Sequence, residues 1–165
     1  MSRTAEAQEG ASVARVRAEA ARLGLPIEPL RLDEGTRTAH EAARAVGCEL
    51  DQIVKSLVFR ARGGDRYLLF LTAGGNRVDL AKAAALAGSE LEKADAAGVR
   101  ARTGFAIGGV APLGHLEPIE TWLDPRLLDF DEVWAAAGTP HHVFRIASAL
   151  LVEATGATAA DFTVD

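Results

Sequence analysis

Ile53-Val54-Lys55-Ser56-Leu57-Val58-Phe59, followed by Ala61-Arg62-Gly63-Gly64-Asp65-Arg66 and then Tyr67-Leu68-Leu69-Phe70-Leu71, is the stretch on which the fold turns. Two β-branched and apolar runs joined by a short glycine-containing segment read as an antiparallel hairpin in the middle of a sheet. The alternation of a strand puts Lys55 on one face with Ile53, Leu57 and Phe59, and Val54, Ser56 and Val58 on the other. A lysine therefore stands where an aliphatic residue is expected. An ammonium is costly to bury unpaired, so such a lysine is paired, reaches water at a strand end, or is kept for function.

Upstream, Thr38-Ala39-His40-Glu41 is a capping box opening a helix with Ala39, Ala42, Ala43 and Val46 on one side, closed by Gly47. Ile27–Leu32 reads as a short strand. Val13, Val16, Ala20 and Leu23 recur at helical spacing, ended by Gly24 and Pro26, and Met1–Ala11 reads as a polar, frayed segment. Downstream, Asp79 caps a helix ending at Gly88, and Ser89-Glu90-Leu91-Glu92 reads as a second capping box whose helix reaches about Gly98. Arg100–Thr103 leads into a glycine-rich stretch. Beyond it come a strand over Pro118–Leu123, a turn at Asp124-Pro125, and a strand over Phe130–Ala137 with Val133, Ala135 and Ala137 on one side. Gly138-Thr139-Pro140 turns the chain into an antiparallel partner, His141–Ile146. Ser148–Thr155 makes a last helix closed by Gly156, and the tail to Asp165 adds an edge strand. No repeat or linker interrupts this order, so residues 1–165 read as one domain.

The glycine-rich stretch is Gly104-Phe105-Ala106-Ile107-Gly108-Gly109-Val110-Ala111-Pro112-Leu113-Gly114. Glycine lets another backbone or a ligand approach closely, and proline fixes φ and removes a donor, so the run makes a shaped main-chain surface. It serves either as a tight connection between core elements or as a set of N–H donors for something polar.

Composition narrows the function classes. The lone Cys48 excludes an internal disulfide, no apolar run approaches membrane-spanning length, and no leader pattern opens the chain, so a cytoplasmic protein is expected. A net charge of −5 argues against a generic nucleic-acid coat. Between Ile53 and Lys82, however, six basic residues (Lys55, Arg60, Arg62, Arg66, Arg77, Lys82) face two acidic ones, which allows a restricted polyanion-binding face.

Familiar chemistries find little support. No Gly-Lys-Ser/Thr follows the glycine stretch, and it lacks a dinucleotide fingerprint. His141 and His142 are adjacent, hence on opposite strand faces, while His40 and His115 stand alone, so no metal set is apparent. There is no Gly-x-Ser-x-Gly elbow, and Cys48 reads as packing. Lys55 as a Schiff-base lysine stays open, without a second residue pointing to a carbonyl substrate.

The strand Ile53–Phe59, the preceding Glu41-Ala42-Ala43 helix with Gly47, and the later Thr103-Gly104 and Gly108–Gly114 together resemble the YbaK/ProX group of aminoacyl-tRNA deacylases. These are free-standing relatives of the editing domain of bacterial prolyl-tRNA synthetase. The resemblance runs from about Arg37 to Ala160 and rests on the strand lysine together with the Gly-x-x-x-Pro loop, here Gly108 to Pro112.

The resemblance implies an α/β (α+β) fold, a mixed, curved sheet or partial barrel surrounded by helices. It implies hydrolysis of the ester joining a wrong amino acid to the 3′-terminal adenosine of a tRNA, typically tRNA for proline, without metal or organic cofactor. Mischarged tRNA is then the partner, with prolyl-tRNA synthetase as a protein associate and neither membrane nor DNA involved. Lys55 matches the family lysine that holds the substrate, and Gly108, Gly109, Val110, Ala111 and Pro112 match the loop whose amides orient the carbonyl and the attacking water. Ser56, Gly138, Thr139 and His142 are the places where a pocket would discriminate amino acids, alanine and cysteine being the two weighed. Arg60, with Arg62, would meet tRNA on the basic face. Two other readings remain: a non-catalytic module that binds the aminoacyl end of tRNA or a synthetase, and a binder of a small anion.

Overall fold

In a computed structural model, residues 3–33 and 37–165 are described. The elements are α1 (Arg3–Arg22), β1 (Leu30–Arg31), α2 (Ala39–Val46), β2 (Ile53–Ala61), β3 (Tyr67–Ala73), α3 (Leu80–Ala87), β4 (Leu91–Lys93), α4 (Ala96–Thr103), β5 (Glu120–Leu123), β6 (Glu132–Ala136), β7 (His142–Ala147), α5 (Ser148–Thr155) and β8 (Thr158–Ala159). Short 3-10 turns lie at Leu50–Gln52 and Pro125–Asp129.

The hairpin is the centre of the molecule. β2 and β3 pair antiparallel without a bulge from Val54↔Ala73 to Arg60↔Tyr67. They lie in the middle of an eight-stranded sheet of order β1-β7-β6-β2-β3-β5-β8, with β4 joined to β2. The β2–β6, β3–β5 and β5–β8 pairs are parallel and the rest antiparallel, so the sheet is mixed. A strand covered on both faces must be apolar at successive positions. Leu68, Leu69, Phe70 and Leu71 of β3 are indeed fully buried. One core, containing Val54, Leu69, Leu71, Val16, Phe105, Val110 and Phe144, lies on one side; a smaller one, containing Phe59, Leu68, Phe70, Ala83 and Phe162, lies on the other.

Local chemistry sets most element ends where the residues predict. Thr38 caps α2 by accepting from Glu41 N, and Asp79 caps α3 by accepting from Ala81 N and Lys82 N. Four expectations are corrected. The segment read as frayed forms the first half of α1 from Arg3 onward, with Met1 and Ser2 outside the described residues; Val13, Val16 and Ala20 bury the helix against the core. The strand at Ile27–Leu32 shrinks to Leu30–Arg31, because Pro26 and Pro29 cannot donate to a ladder. The Ser89–Glu92 capping box is not used: Leu91–Lys93 pairs with Phe59–Ala61, buries Leu91 and aligns Glu92 with Arg60. Tertiary pairing here overrides a local helix signal. The helix starts instead at Ala96, capped by Asp95, and takes in Arg100–Thr103. No helix among the described residues is long and apolar enough to cross a membrane.

Candidate active site

β2 shares one edge between two partners. Its ladder with β6 ends at Val54↔Ala135, and its ladder with β4 begins only at Phe59↔Lys93. Arg62 N–H donates to Glu90 O and Val58 O accepts from Ala94 N–H, so the even-numbered main chain of β2 points toward this edge. Ser56, in register and between the two ladders, therefore turns its N–H and C=O into a gap. A cleft of about 340 Å³ opens there. Lys55 and Ser56 both line it although their side chains leave opposite faces of a regular strand. The gap, not a bulge, brings both faces of β2 to one space.

The Lys55 ammonium donates to Asn76 O at 2.5 Å. Partial burial holds its pKa below the usual lysine value, against the opposing pull of Asp124 and Asp51, while Arg77 pushes the same way as burial. Asp124 is itself buried, and its carboxylate accepts from Ala73 N, Asn76 Nδ2 and Arg126 N, which fixes the loop that receives the lysine. Ser56 Oγ is buried with no hydrogen-bond partner among the described residues. An unmet buried hydroxyl inside a cleft is the sort of group a ligand satisfies.

The glycine stretch forms the opposite wall, with Gly108 and Val110 lining the cleft. Its neck is closed by Leu116 N–H donating to Thr103 O, and Phe105, Val110, Ala111 and Leu113 bury it in the larger core. Gly109 does not offer its N–H to the cleft: that group donates to Ala106 O at 3.0 Å. Ala111 and Pro112 are buried and stand behind the wall rather than in it. Of the residues foreseen as donors, Gly108 and Val110 line the cleft.

The third wall is the 138–142 turn. Thr139, only 3 % exposed, accepts from His141 N–H at 3.1 Å, and its Oγ1 lies 2.6 Å from His142 Nδ1. Thr139 Oγ1 has two lone pairs and one proton, so it can accept from His141 N–H and, with a neutral His142 ring, either donate to Nδ1 or accept from Nδ1–H. Burial, with Arg31 nearby, holds the His142 pKa below the ordinary imidazole value and favours that neutral form. Thr139 and His142 line the cleft, whereas Gly138 lies behind Thr139, beside α1.

Arg60 is not brought to the cleft. It pairs with Glu92 at 2.5 Å near the other end of β2. Three more cations of the basic face are paired: Arg62 meets Glu90, Arg66 meets Glu120, and Lys82 meets Asp161 and Asp165. Each acid comes from a segment distant in sequence, which is why a local charge count missed it. A cation that the count did not include, Arg37, lines the cleft and has no ion-pair partner among the described residues. No cluster of three His, Cys, Asp or Glu suited to a metal occurs among the described residues. Burial and Glu49 push the Cys48 thiol pKa up, away from nucleophilic use.

Comparison with known proteins bears on this site. A family described as the aminoacyl-tRNA editing domain matches residues 33–154. A crystal structure of a proposed trans-editing enzyme for prolyl-tRNA synthetase is 47 % identical, superposes with a TM-score of 0.88, and covers 93 % of this chain and 98 % of its own. The crystal structure of the hypothetical protein APE2540 is 30 % identical with a TM-score of 0.83, over 91 % of this chain and 99 % of that one. The uncharacterized protein YwhH of Bacillus subtilis (strain 168) is 34 % identical over 107 residues, 65 % of this chain and 68 % of its own length.

Proposed function

We propose that this chain, which belongs to the aminoacyl-tRNA editing domain family, clears a small wrong amino acid, alanine or cysteine, from tRNA for proline. Membership and the 47 % identical neighbour make it an aminoacyl-tRNA deacylase whose biological context is editing in translation. The tRNA, the amino acid, an association with prolyl-tRNA synthetase and the residue roles are the finer reading offered here.

The observation that carries the reading is the meeting of Lys55 and the Gly108–Val110 main chain across one cleft. An aminoacyl ester is already activated, so a positioned water and donors for the developing oxyanion supply much of the rate. Water attacks the ester carbonyl carbon, the C–O bond to the ribose breaks, and the ribose oxygen leaves with a proton as the free acid forms. In this scheme Lys55 holds the terminal nucleotide or the aminoacyl group, the N–H groups of Gly108 and Val110 receive the oxyanion, and Ala111 and Pro112 stiffen them from behind. Ser56 Oγ and the neutral His142 ring give the substrate one hydroxyl and one imidazole. No side chain forms a covalent intermediate.

Incubation with a panel of tRNAs mischarged with Ala, Cys, Ser and Pro tests this. Release of Ala or Cys from tRNA for proline well above the spontaneous rate is expected, with activity lost in Lys55→Met. That variant should fold with undiminished stability, since it removes a partly buried charge from a strand flanked by apolar residues. Background release across the panel, or full activity in Lys55→Met, would overturn the reading.

A further inference from the structure

We infer that Arg15 of α1 is a positioning residue for the cleft, acting through the glycine-rich loop from a helix upstream of the residues that the family match spans. Its guanidinium bridges the two ends of that loop: Nη2 donates to Thr103 O at 2.7 Å and Nε to Gly114 O at 3.0 Å. Between those contacts it lies over the Phe105 ring, 4.3 Å from the centroid, and Phe105 is fully buried. Thr103 O is also one of the last carbonyls of α4, where a cation complements the helix dipole. A planar fork with several donors can hold two carbonyls and a ring at once; an ammonium cannot.

The fit is tight on the loop side. A Cβ built at Gly104 would stand 2.3 Å from Arg15 Nη2, so the loop leaves the guanidinium its seat. The same helix reaches the second wall: a Cβ at Gly138 would meet Ser12 O at 2.9 Å. One helix thus abuts both loops that face Lys55, and the amides of Gly108 and Val110 lie inside the segment whose ends Arg15 ties together. Arg15 does not line the cleft. Its effect on turnover passes through the placing of those amides.

The inference rests on the deacylase reading, and its test separates the two. In the full chain, Arg15→Ala, Arg15→Gln and Arg15→Lys are compared by steady-state deacylation of mischarged tRNA and by amide hydrogen exchange. Misplaced donors cost turnover more than binding, so kcat should fall by about 10- to 100-fold with KM little changed, Arg15→Lys being the least affected. Exchange of amides 105–111 should speed up while β2 and β3 keep their protection. Wild-type kcat in all three variants, or faster exchange spread evenly over the sheet, would overturn it. Should Arg15→Ala fail to fold, the lysine and glutamine variants decide. If the wild type deacylates nothing, the functional reading fails, and exchange over 105–111 still settles whether Arg15 holds the loop.

Discussion

Gly109 lies with its α-carbon against the main chain of Thr139: a Cβ built at position 109 would stand 2.5 Å from Thr139 C and 2.6 Å from Thr139 Cα. Two walls of the cleft therefore meet backbone to backbone at this point. Because the blocking atoms are main chain, Gly109→Ala must push the 138–142 turn away. A loss of about 1–3 kcal/mol in denaturant unfolding, the usual scale of overpacking, is expected together with reduced deacylation. Wild-type stability and rate would mean that the two loops are free to separate.

Ser56 Oγ is buried without a hydrogen-bond partner among the described residues, and its replacement should have opposite effects on folding and on substrate. Removing an unsatisfied hydroxyl relieves its desolvation cost, so Ser56→Ala should match or exceed wild-type stability, by up to about 1 kcal/mol. If the substrate satisfies the hydroxyl, KM should rise in the same variant. A KM at the wild-type value would remove Ser56 from the substrate contacts.

Two partly buried imidazoles set an acid-side dependence. Burial lowers the pKa of His115, whose Nε2 lies 2.7 Å from Ala111 O, and of His142. For both, the unfolded chain binds a proton more readily than the folded one. Stability should therefore be complete above the ordinary imidazole pKa, about 6.5, and decline as the pH falls below it. Melting temperature followed from pH 7.5 to 5 should show the decline, and His115→Gln should flatten it. An unchanged slope in that variant would locate the effect elsewhere.

The pattern of ion pairs moves the proposed tRNA contact from the hairpin face to the cleft. Arg60, Arg62, Arg66 and Lys82 are paired to carboxylates, whereas Lys55 and Arg37 line the cleft, with Arg77 close enough to act on Lys55. Arg37→Glu should raise KM for charged tRNA and reduce its salt dependence by about one phosphate contact. Arg60→Glu should leave both nearly unchanged. The reverse ranking would restore the hairpin face as the tRNA surface.

The residues by themselves determined the central hairpin, the caps at Thr38 and Asp79, the lysine on an apolar strand and the glycine-rich main-chain wall. All of these are written in periodicity and local hydrogen-bonding chemistry, which act over a few neighbouring residues. The cleft itself was not legible, because it is a gap between two strands that join the same edge of β2 from far along the chain, β6 parallel and β4 antiparallel. The same holds for Leu91–Lys93, where pairing to β2 outweighed a capping box, and for Arg60, Arg62, Arg66 and Lys82, paired with Glu92, Glu90, Glu120 and Asp165 from 28 to 83 positions away. Gly109 shows the division within one residue. Its sequence context announced a close approach of backbone, and only the packing of Thr139 against it decided that the approaching backbone is the protein's own.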